Sequence, residues 1–144
     1  MINFIEGKIN LGEKSISVAT QYKDLYALAE EGLIEKREDA GGIYYYAVAE
    51  ADGMRLGIFI SLRENRIEWL RLHWLDSPMK GWDDVSENLM MGEYRLLSDF
   101  VKRQVGASPN NRRTATRTWR LKWGQINVSY EPRSFQADIF MKPR

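Results

Sequence analysis

Residues 42–76 contain three consecutive runs in which apolar and polar side chains alternate, GIYYYAVAEA, MRLGIFISL and RIEWLRLHWLD. Short polar steps separate them, Asp52-Gly53 and Glu64-Asn65. Successive side chains of a strand point to opposite faces, so period two is the signature of a half-buried strand. Asp-Gly between two such runs is a strong two-residue hairpin signal, because both central residues must adopt positive φ. The segment therefore predicts an antiparallel meander with one buried and one partly wet face. Leu56, Ile58, Ile60 and Leu62 share a face of the middle strand. In the third strand Leu70, Leu72 and Trp74 share one face and Trp69, Arg71 and His73 the other.

The flanking sequence adds helices and more strands. Gly7 to Gly12 reads as a short strand or turn. Ser17 is a good N-cap for a helix from about Val18 to Glu31, with Val18, Tyr22, Leu25, Tyr26 and Ala29 at helical spacing. Glu35 to Asp39 (EKRED) reads as a charged, solvated link. Asp84 with Glu87 three residues on resembles a capping box, and opens a helix to about Val105 with Gly106 in the C′ position. Its apolar stripe is Val85, Leu89, Leu96 and Phe100, and Gly92 within it could allow close packing on the sheet. Ala107 to Thr116 is a polar loop. Three further alternating runs follow: RTWRLKW, QINVSY and SFQADIFM. The predicted order is β-α-β-β-β-α-β-β-β. That order defines an α+β fold, two helices packed on a mainly antiparallel sheet, in a single domain spanning 1–144. Trp123-Gly124 joins two of the last strands, so it reads as a corner of the sheet. Gly124 is needed there for the bend, and Trp123 closes the core beside it.

Composition narrows the chemistry. With no Cys, disulfides, thiolate metal sites and thiol nucleophiles are excluded. No basic and apolar leader opens the chain, and no apolar run approaches the roughly 20 residues of a membrane helix. Residues 1–100 hold 11 Lys/Arg against 18 Asp/Glu, whereas residues 101–144 hold 10 against 2. Such asymmetry fits an acidic body paired with basic strands, or a nucleic-acid surface. Arg112, Arg113, Arg117, Arg120 and Lys122 form the basic stretch. Trp119 and Trp123 share parity with Leu121 and so face the core, which leaves the basic stripe without stacking platforms and argues against nucleic acid.

No catalytic motif is present. His73, the single histidine, lies between Leu72 and Trp74 and reads as structural before catalytic. Gly41-Gly42 precedes a strand and not a helix, so it is no phosphate loop. Asp83-Asp84 and Glu38-Asp39 are paired acids, the former at a helix start where negative charge is favoured. No residue is assigned as catalytic, cofactor-binding or metal-binding. In IYYYAV, Tyr44 and Tyr46 lie on one face and Tyr45 on the other, so at least one Tyr faces outward. With Trp69 and Arg71 they would give an outer face of residues typical of protein-binding hot spots, unless the second helix covers it. The partner-binding candidates are Tyr44, Tyr45, Tyr46, Glu50, Asp52, Trp69, Arg71 and His73.

The Trp82-Asp83 step, the helix ending LLSDFVKRQVG, the polar loop and WRLKWGQINVSYEPRSFQADIFM resemble a widespread group of small bacterial α+β proteins. INLGEKS and RLGIFISLRENRIEWLRL fit the same pattern, and Tyr130-Glu131-Pro132 replaces that group's Tyr-Asp-Pro-like turn. Many such proteins look like immunity proteins of polymorphic-toxin or contact-dependent growth inhibition systems. The resemblance implies a cytoplasmic, cofactor-free inhibitor that binds a cognate toxin domain stoichiometrically. It carries over no site residues, because immunity surfaces differ with each toxin. The alternative is a small ligand-binding or enzymatic domain with His73 as its titrating group.

Overall fold

The computed structural model describes residues 1–78 and 86–144. Three short strands come first: β1 (Ile2–Asn3), β2 (Lys8–Leu11) and β3 (Lys14–Ser17). Helix α1 (Tyr22–Glu30) leads into β4 (Glu35–Asp39), β5 (Gly42–Ala51), β6 (Met54–Arg63) and β7 (Arg66–Trp74). Helix α2 (Glu87–Val105) leads into β8 (Asn111–Arg113), β9 (Thr116–Leu121), β10 (Gly124–Glu131) and β11 (Gln136–Pro143). The fold is α+β, with a small sheet β1-β2-β3 and a large antiparallel sheet ordered β4-β5-β6-β7-β11-β10-β9-β8. Each half of the large sheet is a meander, and the halves meet where β7 pairs with β11.

The meander of β5, β6 and β7 forms as its turns require. Asp52 and Gly53 have φ of 50° and 75°, and Glu64 and Asn65 of 53° and 61°. All four occupy the left-handed region that a type I′ hairpin demands. A bulge at Ser61/Leu62 inserts Glu68 and lets Ile67 reach the core.

Register explains the core. Tyr45, Ile60, Leu70, Met141, Ile126 and Trp119 are successive cross-strand partners, and all six are buried. Both helices and the small sheet cover this inner face. Phe4 meets Phe100 of α2 edge-on, with ring centroids 5.7 Å apart. Tyr94 of α2 meets Tyr130 of β10 at 4.8 Å. Each fully buried side chain of this size contributes about 1.5–3 kcal/mol.

Several sequence expectations are corrected. The first helix starts at Tyr22 after Gln21, and Ser17 ends β3. The backbone at Ser17 to Thr20 is spent on a turn, the Thr20 N–H donating to the Ser17 carbonyl at 3.1 Å. Leu25 and Leu28 form the buried face of α1, while Tyr22 and Tyr26 are exposed. EKRED is the edge strand β4, not a link; its charged side chains suit an edge that must not pair with other chains. The polar loop after α2 contains β8, which folds back on β9. Ser86 caps α2, its hydroxyl accepting from the Leu89 N–H at 3.1 Å. Gly81, Trp82, Asp83, Asp84 and Val85 lie outside the described residues. The buried stripe of α2 is Met90, Tyr94, Leu97 and Val101, with Glu93, Ser98 and Phe100 beside it. Leu89 and Leu96 are exposed, because the helix turns the neighbouring heptad row to the sheet. Gly92 packs against nothing: a Cβ there would meet open space.

Trp123-Gly124 proves to be more than a corner. Lys122-Trp123 forms the β9–β10 turn, and a Cβ on Gly124 would collide with the Lys142 carbonyl oxygen of β11. The Trp123 indole N–H donates to the Phe4 carbonyl at 2.9 Å, and its ring covers Gly7 closely enough that a Cβ would lie 2.6 Å away. The step thus ties the small sheet to the large one. Among the described residues, no helix is long and apolar enough to cross a membrane.

Candidate functional site

The same register that builds the core builds a second surface on its reverse. Along the outer face, Tyr46 of β5, Phe59 of β6, Arg71 of β7, Phe140 of β11 and Asn127 of β10 are successive cross-strand partners. Tyr44, Ser61 and Trp69 form the row on one side of it, and Val48, Gly57 and His73 the row on the other. Since both helices pack on the inner face, no described helix covers these rows.

The aromatic rings lock together. Tyr46 meets Phe59 edge-on at 5.1 Å, Tyr44 lies 6.0 Å from the same ring, and Trp69 meets Phe140 at 6.1 Å. Three cations lie over these rings: Arg37 at 3.9 Å from the Tyr46 centroid, Arg71 at 4.2 Å from Phe59, and Lys142 at 5.4 Å from Phe140. Such contacts restrict the rings, which are partly buried and partly open to solvent. Gly57 makes room for this: a Cβ there would stand 2.8 Å from the Tyr46 hydroxyl.

Asp138 anchors the charged end of the face. It is 5% exposed, and its two carboxylate oxygens receive Arg71 Nη1 at 3.2 Å and His73 Nδ1 at 2.8 Å. The hydrogen bond to Asp138 holds the His73 imidazole above its usual pKa of 6.5; burial opposes this, while the Asp138 and Glu93 charges reinforce it. Glu93 of α2 is buried, accepts from the Ser77 hydroxyl at 2.8 Å, and is pushed above the usual carboxylate range by burial.

Six of the eight predicted residues, Tyr44, Tyr46, Glu50, Trp69, Arg71 and His73, therefore share one face. Tyr45 does not: it is 1% exposed in the core, and burial, with Tyr22 beside it, raises its hydroxyl pKa. Asp52 does not either; it sits in the β5–β6 turn and accepts from the Gln104 amide of α2. Phe59, Phe140 and Asp138 were missed. Parity with Arg71 would have placed Phe59, and the isolated charge in the buried run ADI marks Asp138. No local signal predicts that Asp138 meets His73, 65 residues away.

The basic stretch is split between faces. Arg117 pairs with Val128 and lies over Tyr94 at 5.3 Å on the helix side, whereas Arg120 pairs with the outer Gln125. Trp119 is buried and Trp123 packs on the core. Among the described residues no group of acidic or imidazole side chains is arranged to hold a metal ion.

The fold and face define an α+β protein with an aromatic sheet surface that carries Arg37 and Arg71, the latter held together with His73 by Asp138. Comparison with protein-family models, curated proteins and solved structures finds no match for this chain.

Proposed function

We propose that the protein is a binding protein that docks a partner protein on the outer face of β5, β6, β7 and β11, as an immunity protein docks its toxin. The observation that carries this is the registered row Tyr46–Phe59–Arg71–Phe140 flanked by Trp69. Half-buried aromatics and a pre-oriented Arg are what a desolvated interface centre needs, because little side-chain entropy remains to be lost. The excess of acids over bases in residues 1–100 is offset by residues 101–144 to a net charge of +1, so net charge alone selects neither an acidic nor a basic partner. Inhibition would follow from covering the toxin's active cleft, with no cofactor. The test is co-expression with toxin-like domains encoded beside its gene. A 1:1 complex with lost toxin activity supports the reading; folded protein that captures none of these domains overturns it.

A second reading rests on the His73–Asp138 pair beside a groove of about 290 Å³ lined by Tyr44, Phe59, Trp69 and Arg71. There the face would bind a small molecule, and His73 would move a proton. Unchanged ligand binding and turnover in His73→Ala would dismiss it.

A further inference from the structure

On the helix side of the large sheet, α2 and the β8–β9 hairpin enclose a cleft of about 240 Å³. Arg95, Ser98, Asp99 and Lys102 line it from one face of α2, at the i, i+3, i+4 and i+7 spacing that aligns side chains along a helix. Arg112 of β8 and Arg117 of β9 line the opposite wall, and buried Trp119 also borders it. Four cations thus converge against one carboxylate. Among the described residues, none of the four pairs with a carboxylate within 4.0 Å, Asp99 included. Cations gathered without counter-charge repel each other, a cost that a bound anion removes.

Ser98 is 6% exposed, and its hydroxyl has no hydrogen-bond partner in the protein. That hydroxyl oxygen is itself closed to solvent, so Ser98 belongs to the packed floor under the cations and is not a donor into the cleft.

We propose that this cleft is an anion site that takes a phosphomonoester group. Its volume lies below the range of about 300–1,000 Å³ typical of drug-sized ligands, so it suits a compact polyoxyanion and not a whole organic molecule. Arg112 and Arg117 supply planar guanidinium donors that match phosphate oxygens bidentately. Lys102 adds a point charge. Asp99 offsets one positive charge and limits the affinity.

The experiment uses the full chain and inorganic phosphate as probe, titrated at constant ionic strength against chloride and read by amide chemical shifts and by thermal melting. Saturable shifts centred on Ser98, Lys102, Arg112 and Arg117 are expected, with a higher melting temperature in phosphate. Lys102→Gln and Arg112→Gln, both exposed and compatible with folding, should each weaken binding about tenfold, the equivalent of one charge-assisted contact. Asp99→Asn should tighten it several-fold. Phosphoserine and adenosine monophosphate, titrated alike, separate a phosphorylated side chain from a nucleotide as the source; if neither exceeds phosphate, the free ion is the ligand. Equal responses to phosphate and chloride, or affinity unchanged in the Lys102 and Arg112 variants, overturn the site.

Discussion

His73 Nδ1 lies 2.8 Å from Asp138 Oδ1, while Asp138 Oδ2 receives Arg71 from the same strand as the histidine. One nearly buried carboxylate therefore orients both Arg71 and His73. Removing Arg71, or the proton that charges His73, would leave that carboxylate less compensated. The arrangement makes the face's geometry depend on pH.

The His73 pKa is raised in the folded state, chiefly by its hydrogen bond to Asp138. The linked stability is therefore fully present below the unfolded value of 6.5 and is lost as pH rises through the higher folded value. Because the chain has one histidine, its ring Hε1 proton gives one titrating NMR resonance without overlap from others. Its midpoint is expected above 6.5 in the wild type and lower in Asp138→Asn. A midpoint unmoved by that substitution would contradict the pairing.

Glu93 carries the opposite practical consequence. Burial raises its pKa, and one of its oxygens has no hydrogen-bond partner. Its contribution is favourable below the unfolded carboxylate value of 4.5 and turns into a cost as pH rises through the folded value. Glu93→Gln, which keeps an acceptor for Ser77, should stabilise the protein at pH 7 and lose that advantage near pH 4. Urea unfolding at both pH values measures it.

On the outer face, Trp69→Ala should remove an interface anchor and weaken partner binding by about 2 kcal/mol, roughly 30-fold in Kd. Tyr26→Ala, an exposed change on α1 away from the face, should leave Kd unchanged. Calorimetry of the complex distinguishes them, and equal effects at both positions would remove the outer face as the docking surface.

Two glycines should respond in opposite directions. Gly92→Ala, in the middle of α2 with open space around it, should stabilise by about 0.5–1 kcal/mol, since Ala loses less backbone entropy. Gly124→Ala should cost about 2 kcal/mol or more, because its methyl collides with the β11 backbone, which has no side-chain rotamer to yield. Thermal melts of the two variants decide the matter.

The hairpins at Asp52-Gly53 and Glu64-Asn65, the alternation of β5 to β7 and β9 to β11, and the Gly106 end of α2 were legible because each depends on φ preferences and spacing within a few residues. The same local logic separated Tyr44 and Tyr46 from Tyr45. It failed at EKRED, whose side chains say solvent while its backbone finds a partner in β5. It failed again at α2, where Leu89/Leu96 and Met90/Tyr94/Leu97/Val101 both fit helical spacing and only the sheet selects between them; Phe100 is buried as its spacing predicted. The open outer face, the Arg71–Asp138–His73 cluster and the cationic cleft under α2 exist because β11 chose β7 as its neighbour and α2 settled on the opposite side. Pairings that span more than sixty residues are decided by which arrangement buries the whole apolar surface at once, and no short stretch of sequence encodes that sum.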